Sequence, residues 1–328
     1  MTQPTLDILA IGDAIVDVIA TCDDAFLELH RLPKGSMQLL ELAAADALYA
    51  AMGSAREISG GSAANSIAGI AALGGQAAFV GQVADDQLGA IFTHDMRALG
   101  VQFDTPPLSA GPPTGRCLIL VTADGQRTMN TSPGASHHLR PETLDERLIA
   151  SASILYLEGY LWGPELPRLA MQRAVRIAHD AGRKVAFTLS ESVCIAGRKK
   201  GFAAMIESGG IDLLFANQEE ALQLTGAVDL DRALAELSAK VATLVVTRGA
   251  AGAVAVEGGS RVDVPAFQVE KVIDTTGAGD LFAAGFLAAR CKGHGLEKSL
   301  QTGAIAAGEV ITHFGARPEA DLSELVLL

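Results

Sequence analysis

Short apolar, β-branched runs alternate with longer stretches of helical periodicity along most of the chain. The runs "LDILAIG" at 6–12, "ILYLEG" at 154–159, "KVAFTL" at 184–189, "IDLLFAN" at 211–217 and "TLVVTRG" at 243–249 have the length and near-continuous hydrophobicity of strands covered on both faces. Between them the spacing predicts helices over 63–73, 87–99, 166–181, 219–224, 230–239, 279–290 and 296–312. Such alternation predicts an α/β protein, with a central, mainly parallel sheet flanked by helices on both faces. Two intervals, about 14–52 and 101–135, break the pattern. In the second, "RCLILVTADGQRTMNTS" alternates on either side of "ADGQ", which reads as a hairpin turn, and "PPLSAGPPTG" at 106–115 is its Pro-rich approach. Both intervals are read as a small β element inserted into one α/β domain spanning 1–328.

Composition narrows the function classes. The formal net charge of −13 argues against a nucleic-acid backbone or an anionic membrane as the main partner, because both need clustered Lys and Arg. A local pocket of backbone N–H groups can still hold a small anion. Cys22, Cys117, Cys194 and Cys291 lie far apart with no C-x-x-C, so neither a zinc site nor a disulfide framework is expected. The N-terminal "MTQPTLDILAIGDAIVDVIA" has no basic leader and acids interrupt its apolar stretch, and a cytoplasmic protein is expected.

Neither G-x-G-x-x-G nor G-x-x-x-x-G-K-[ST] occurs, so the dinucleotide and P-loop signatures are not met. "GGSAAN" at 60–65 lacks the second glycine of a nucleophile elbow. "DTTGAGD" at 274–280 opens the small, apolar helix pattern over 279–290. If Gly277, Ala278 and Gly279 turn into that helix, their N–H groups and the helix dipole make an anion site. Asp280 beside a bound phosphate is placed to act as a base toward an attacking hydroxyl, or it is a first-turn acid favoured by the dipole. In "GGSAANS", Gly60 and Gly61 permit an unusual turn, Ser62 caps the next helix, and the Asn65 amide suits a sugar hydroxyl; a plain hinge and capped core helix fit as well. Asp13 and Asp17 suit a polyhydroxylated ligand or are solvated loop acids. Asn217 and Glu220 follow a strand end, with Glu220 suited to Mg²⁺ through water. "TRGAAG" at 247–252 is a glycine turn fit for nucleotide phosphates, or only a turn.

Together and in this order these motifs resemble the PfkB, or ribokinase-like, family of carbohydrate and nucleoside kinases, over essentially the whole chain from "GDAIVD" to "THFGARPE". The resemblance implies a Rossmann-like three-layer α/β domain with a small β-sheet lid, matching the two inserted intervals, and transfer of the γ-phosphoryl of ATP to a hydroxymethyl oxygen. It makes Asp280 the catalytic base, Gly277, Ala278 and Gly279 the anion hole, and Arg127 a lid cation for the transferring phosphate. Asp13, Asp17, Gly60, Gly61 and Asn65 then hold the acceptor, and Gly60-Gly61 is the hinge of the lid. Asn217 and Glu220 match the family's N-x-x-E, which governs Mg²⁺ and phosphate, and Thr247, Gly249 and Gly252 match its nucleotide loop. Asp274 and Thr276 stand where a monovalent cation such as K⁺ is expected. "GGSAANS", "PPTGRCLILVTADGQRT" and "FANQEEA" look most like the adenosine kinase branch, although Asp13 stands where that branch has an asparagine. No aromatic pair for a base is evident; Phe26, Met37 and Leu39 are the pocket candidates. The implied activity is phosphorylation of the 5′-hydroxymethyl group of a ribonucleoside, adenosine foremost, by a monomer or homodimer; a sugar kinase is the alternative. A dinucleotide-dependent oxidoreductase lacks its glycine fingerprint. A silent nucleotide sensor would have lost the base or the anion hole, and both are present.

Overall fold

The computed structural model describes residues 3–326. Thirteen strands form two sheets among them: β1 (Leu6–Ile11), β2 (Ile15–Thr21), β3 (Met37–Leu39), β4 (Arg56–Gly60), β5 (Ala77–Val80), β6 (Gly115–Val121), β7 (Arg127–Ser132), β8 (Ala152–Glu158), β9 (Lys184–Thr188), β10 (Leu213–Asn217), β11 (Thr243–Thr247), β12 (Ala253–Glu257) and β13 (Ser260–Val264). The large sheet runs β13-β12-β11-β10-β9-β8-β1-β5. It is parallel from β5 to β11 and ends in an antiparallel β11-β12-β13 meander. All five strands expected from hydrophobic runs are present. Three strands of this sheet were not anticipated. β5 is only four residues of an Ala- and Gly-rich stretch, and β12 and β13 form an edge hairpin whose Gly258-Gly259 turn has positive φ at both residues.

Alternation along β1 explains the layers. Ile8 and Ala10 face one core with the helices Ser62–Ala72, Ala278–Cys291 and Leu296–Val310, while Leu9 and Ile11 face another with Glu165–Asp180, Lys199–Glu207 and Gln218–Thr225. The result is a three-layer α/β fold. The helix Ala278–Cys291 is buried on nearly every side because its neighbours come unusually close. A Cβ on Gly285 would lie 2.6 Å from the Thr302 carbonyl oxygen, and one on Gly303 2.7 Å from that of Phe282. Small residues there let two helices touch backbone to backbone, which fixes where the first turn of the helix points.

The second sheet has the order β3-β7-β6-β2-β4. It extends past 14–52 to include β4, and two helices, Asp24–Leu29 and Leu42–Ala51, lie within that interval. They cover one face, where Val16, Val18, Leu118 and Leu120 are buried with Leu27, Ala45 and Leu48. The opposite face of β2 carries Asp17 and turns toward the large sheet.

Candidate active site

The order of the large sheet reverses around β1: the chain goes from β1 to β5 on one side and then crosses to β8 on the other. At such a switch the strand ends diverge and leave a crevice beyond their carboxyl ends. Asp13, just past β1, and Glu158, the last residue of β8, meet there. The Asp13 N–H donates to Glu158 Oε1 at 2.7 Å, and Ser136 Oγ donates to Asp13 Oδ1 at 2.7 Å. Glu158 Oε2 accepts from the Ala63 N–H at 2.7 Å. Glu158 is fully buried, and no cation among the described residues is paired with it. A charge-assisted hydrogen bond returns about 1.5–3 kcal/mol, against a desolvation cost of several kcal/mol for a buried carboxylate. Burial therefore wins and holds the Glu158 carboxyl well above its usual range; burial also raises Asp13.

Gly61 is the N-cap of the helix Ser62–Ala72, with φ +99°, and a Cβ on it would fall 2.2 Å from the Asp13 carbonyl oxygen. Only glycine fits that backbone. Ser62, expected to cap this helix, lies inside it; the orphan N–H of Ala63 goes to Glu158 instead. This frees the Ser62 hydroxyl, which donates to Asp280 Oδ1 at 2.6 Å, while Asn65 Nδ2 donates to Asp280 Oδ2 at 3.0 Å. The Asn65 Oδ1 is buried and has no partner, so it is an acceptor held in reserve inside the crevice.

Asp280 lies in the first turn of the helix Ala278–Cys291, whose N-cap Gly277 has φ +77°. The Ala278 N–H is turned to the Thr275 carbonyl at 3.2 Å, so it is less available to an anion than the glycine-rich sequence suggested. The N–H groups of Gly277, Gly279 and Asp280 have no acceptor among the described residues, and the space before Gly279 is open. The helix therefore opens on free donors beside a carboxylate. Burial raises the Asp280 carboxyl, opposed by its hydrogen bonds from Ser62 and Asn65 and by Arg317.

Asp17 faces the same space from β2. A Cβ on Gly60 would strike its carboxylate at 2.6 Å, so the glycine makes room for it. Burial pushes Asp17 up to about 6, opposed by Arg127 and Arg317. The Arg127 guanidinium donates to Asp274 and, at 3.0 Å, to Thr276 Oγ1, with both charged side chains nearly buried. The Asp274 carboxylate also accepts from the Thr276 N–H and hydroxyl and from the Gly315 N–H. The position expected for a monovalent cation thus faces a guanidinium, and its donor set is already engaged.

Asn217 and Glu220 close on each other in a capping box. Glu220 Oε2 accepts from the Asn217 N–H, Glu220 Oε1 from Asn217 Nδ2, and Asn217 Oδ1 from the Glu220 N–H, each at 2.8 Å. Burial pushes Glu220 up to about 7. Thr247 ends β11, next to β10 and Asn217. Gly252 closes the following turn because a Cβ there would meet the Val264 carbonyl oxygen at 2.0 Å, whereas Gly249 borders open space. Met37 and Leu39 lie on β3. Leu39, Thr131, Cys117 and Asp17 are in one cross-strand row, and Met37, Met129, Ile119 and Ile19 are in the next row on the same face. Phe26 is not on that face. It lines a hollow with Leu120, whose side chain lies on the other side of the sheet.

Residues 6–322 match the family model described as pfkB family carbohydrate kinase. The chain belongs to the pfkB family. It is an ATP-dependent kinase with an alcohol group as acceptor. Solved structures similar to it include an adenosine kinase from Sinorhizobium meliloti, 49% identical with TM-score 0.91, and a probable sugar kinase from Rhizobium etli, 46% identical with TM-score 0.92; each comparison covers 98% of both chains. An ATP-dependent ribose-1-phosphate kinase from Halopiger xanaduensis is 32% identical over 313 residues, 91% of this chain and 92% of that protein. Among the described residues no helix is long and apolar enough to cross a membrane, and no group of three His, Cys, Asp or Glu side chains could hold a metal.

In this pfkB chain, the structure gathers Asp13, Asp17, Gly60, Gly61, Asn65, Gly277, Gly279, Asp280 and Arg127 around one crevice. Sequence reasoning missed Glu158, Ser136 and Arg317. Glu158 had a visible signal, a lone acid at the end of an otherwise apolar buried strand. Arg317 had less: it lies in the last loop and donates to the carbonyl oxygens of Ser59 and Ala64 at 2.9 and 2.6 Å. Its guanidinium joins β4 to the Ser62 helix and places a buried positive charge near Asp17 and Asp280.

Proposed function

We propose that the protein transfers the γ-phosphoryl group of MgATP to the 5′-hydroxyl of a ribonucleoside, adenosine foremost, with Asp280 as general base. The observation that carries the base assignment is the Asp280 carboxylate fixed by Ser62 and Asn65 beside the unpaired N–H groups that open its helix. The acceptor oxygen attacks the γ-phosphorus in line, its proton passes to Asp280, and the bond to the bridging oxygen breaks to release ADP. The N–H groups of Gly277, Gly279 and Asp280 offset charge on the equatorial oxygens. Arg127 exchanges Asp274 for the phosphate as the second sheet closes as a lid. Asp13, Asp17 and the free Asn65 Oδ1 take the sugar hydroxyls, and Thr247 and Gly249 border the nucleotide. Mg²⁺ arrives with ATP. Glu220, closed onto Asn217, acts by fixing the start of its helix, and any contact with the ion runs through water.

The nucleoside preference rests on the apolar strip of Ile19, Met37, Leu39 and Met129 beside Asp17, which offers a base a surface that a simple sugar would not need. A sugar acceptor is favoured by the absence of an aromatic side chain from that strip. ADP release across adenosine, guanosine, inosine, ribose and fructose 6-phosphate separates the two. The highest kcat/KM is expected with adenosine; activity confined to sugars overturns the nucleoside assignment. Asp280→Asn should lower kcat about 10²–10⁴-fold while ATP binding survives. Near-normal turnover in that variant would remove Asp280 as the base.

A further inference from the structure

A cavity of about 660 Å³ lies outside this crevice, between the helices Glu165–Asp180 and Lys199–Glu207, with Trp162, Arg168, Gln172, Arg176, Arg198 and Met205 among its walls. Its polar lining is dominated by donors. Arg168, Arg176 and Arg198 form no ion pair among the described residues, in a chain whose net charge is −13. Among the described residues Arg168 donates only to the Gly163 carbonyl oxygen, at 3.1 Å. Glu207, the acid of the second helix, is turned away to Lys240 at 3.2 Å. The indole N–H of Trp162 is also unspent, with no acceptor among the described residues.

Two glycines open the cavity. A Cβ on Gly163 would fall 2.3 Å from the guanidinium carbon of Arg198, and one on Gly201 would fall 3.2 Å from Trp162 Nε1. Any side chain at either position would crowd one of the donors. Three guanidinium groups and an indole N–H, with no carboxylate paired to them among the described residues, suit the terminal oxygens of a phosphate. Val175, Ala204 and Met205 supply an apolar wall beside them, and the volume is that of a small-molecule site.

We propose that this groove binds a phosphomonoester, a site separate from the catalytic crevice and independent of which acceptor the enzyme phosphorylates. Trp162 is the only tryptophan of the chain, so its fluorescence reports on the groove directly. Full-length enzyme is titrated with inorganic phosphate, ribose 5-phosphate and AMP, each against KCl at the same ionic strength. A saturable change is expected with the esters and not with KCl. Saturation by inorganic phosphate as well would assign recognition to the phosphoryl group alone; saturation only by the esters would assign a share to the apolar wall. In Arg168→Gln/Arg176→Gln the affinity should fall at least about tenfold per arginine removed, with kinase turnover retained. Arg127→Gln should leave the fluorescence titration unchanged. A response that is linear, is matched by KCl, or persists at full affinity in the double variant overturns the proposal.

Discussion

Asp17 and Asp280 show how burial, rather than residue type, sets the working charge of a site. Both face Arg317, and both are raised because water has been removed from around them. A carboxylate must be ionised to accept a proton or two hydroxyls, so activity falls as pH drops through a raised pKa. With Asp17 at about 6, kcat/KM for the acceptor should show an acidic limb near pH 6, well above the range of an ordinary aspartate. In Asp17→Asn the limb near pH 6 should shift or disappear, because the group that sets it can no longer ionise. A limb unmoved in that variant would assign it to another group. The Asp274 side chain carries a different expectation. Once Arg127 leaves it for the phosphate, its carboxylate is free to meet a monovalent cation, so replacing K⁺ by choline at equal ionic strength should lower turnover, and an unchanged steady-state rate would show that no metal ion acts there.

At the level of elements, the helix Ala278–Cys291 was the most legible part of the chain. Its small apolar residues announced a buried helix, and its leading glycines announced a loop that must come near a ligand. The helix Gln218–Thr225 was legible too, but the capping box gives Glu220 a duty that its sequence position alone did not disclose. Below the ordinary glutamate pKa the group is protonated in both folded and unfolded chains. Between that value and about 7 the folded chain alone keeps the proton, so stability falls as pH rises, and it levels off above about 7. The total is on the order of 3 kcal/mol for a shift of this size. Glu220→Gln, which cannot ionise, should narrow the difference in Tm between pH 5 and pH 8. An unchanged difference would show that Glu220 does not titrate in this window. The strand β5 was illegible because four residues of Ala, Phe and Val carry no period, and pairing with β1 is what makes them a strand.

Across the whole molecule, the second sheet shares an apolar core with the large one, and three polar contacts, Arg127 to Asp274, Ser136 to Asp13 and Arg317 to Ser59, join it and the segment after β7 to the rest of the crevice. These three border the crevice, so ligand binding and the position of that sheet are coupled. Amide hydrogen exchange in β2 and β6 should slow when acceptor and a non-hydrolysable ATP analogue are added, while exchange in β1 stays constant. Equal protection of all three strands with and without ligand would argue against closure.

The sequence by itself determined the layered α/β architecture, the helix behind Asp280 and most of the polar groups of the site, because hydrophobic period and glycine placement are local properties of the chain. Only the tertiary structure decided how those groups are used. Ser62 serves Asp280 because Glu158, far along the chain, takes over the capping of its helix. Asp274 meets a guanidinium because β7 of the second sheet lies over the loop before Asp280. Partners separated by tens or hundreds of residues leave no period to read, and it is their competition for the same N–H groups and carboxylates that assigns each one its role.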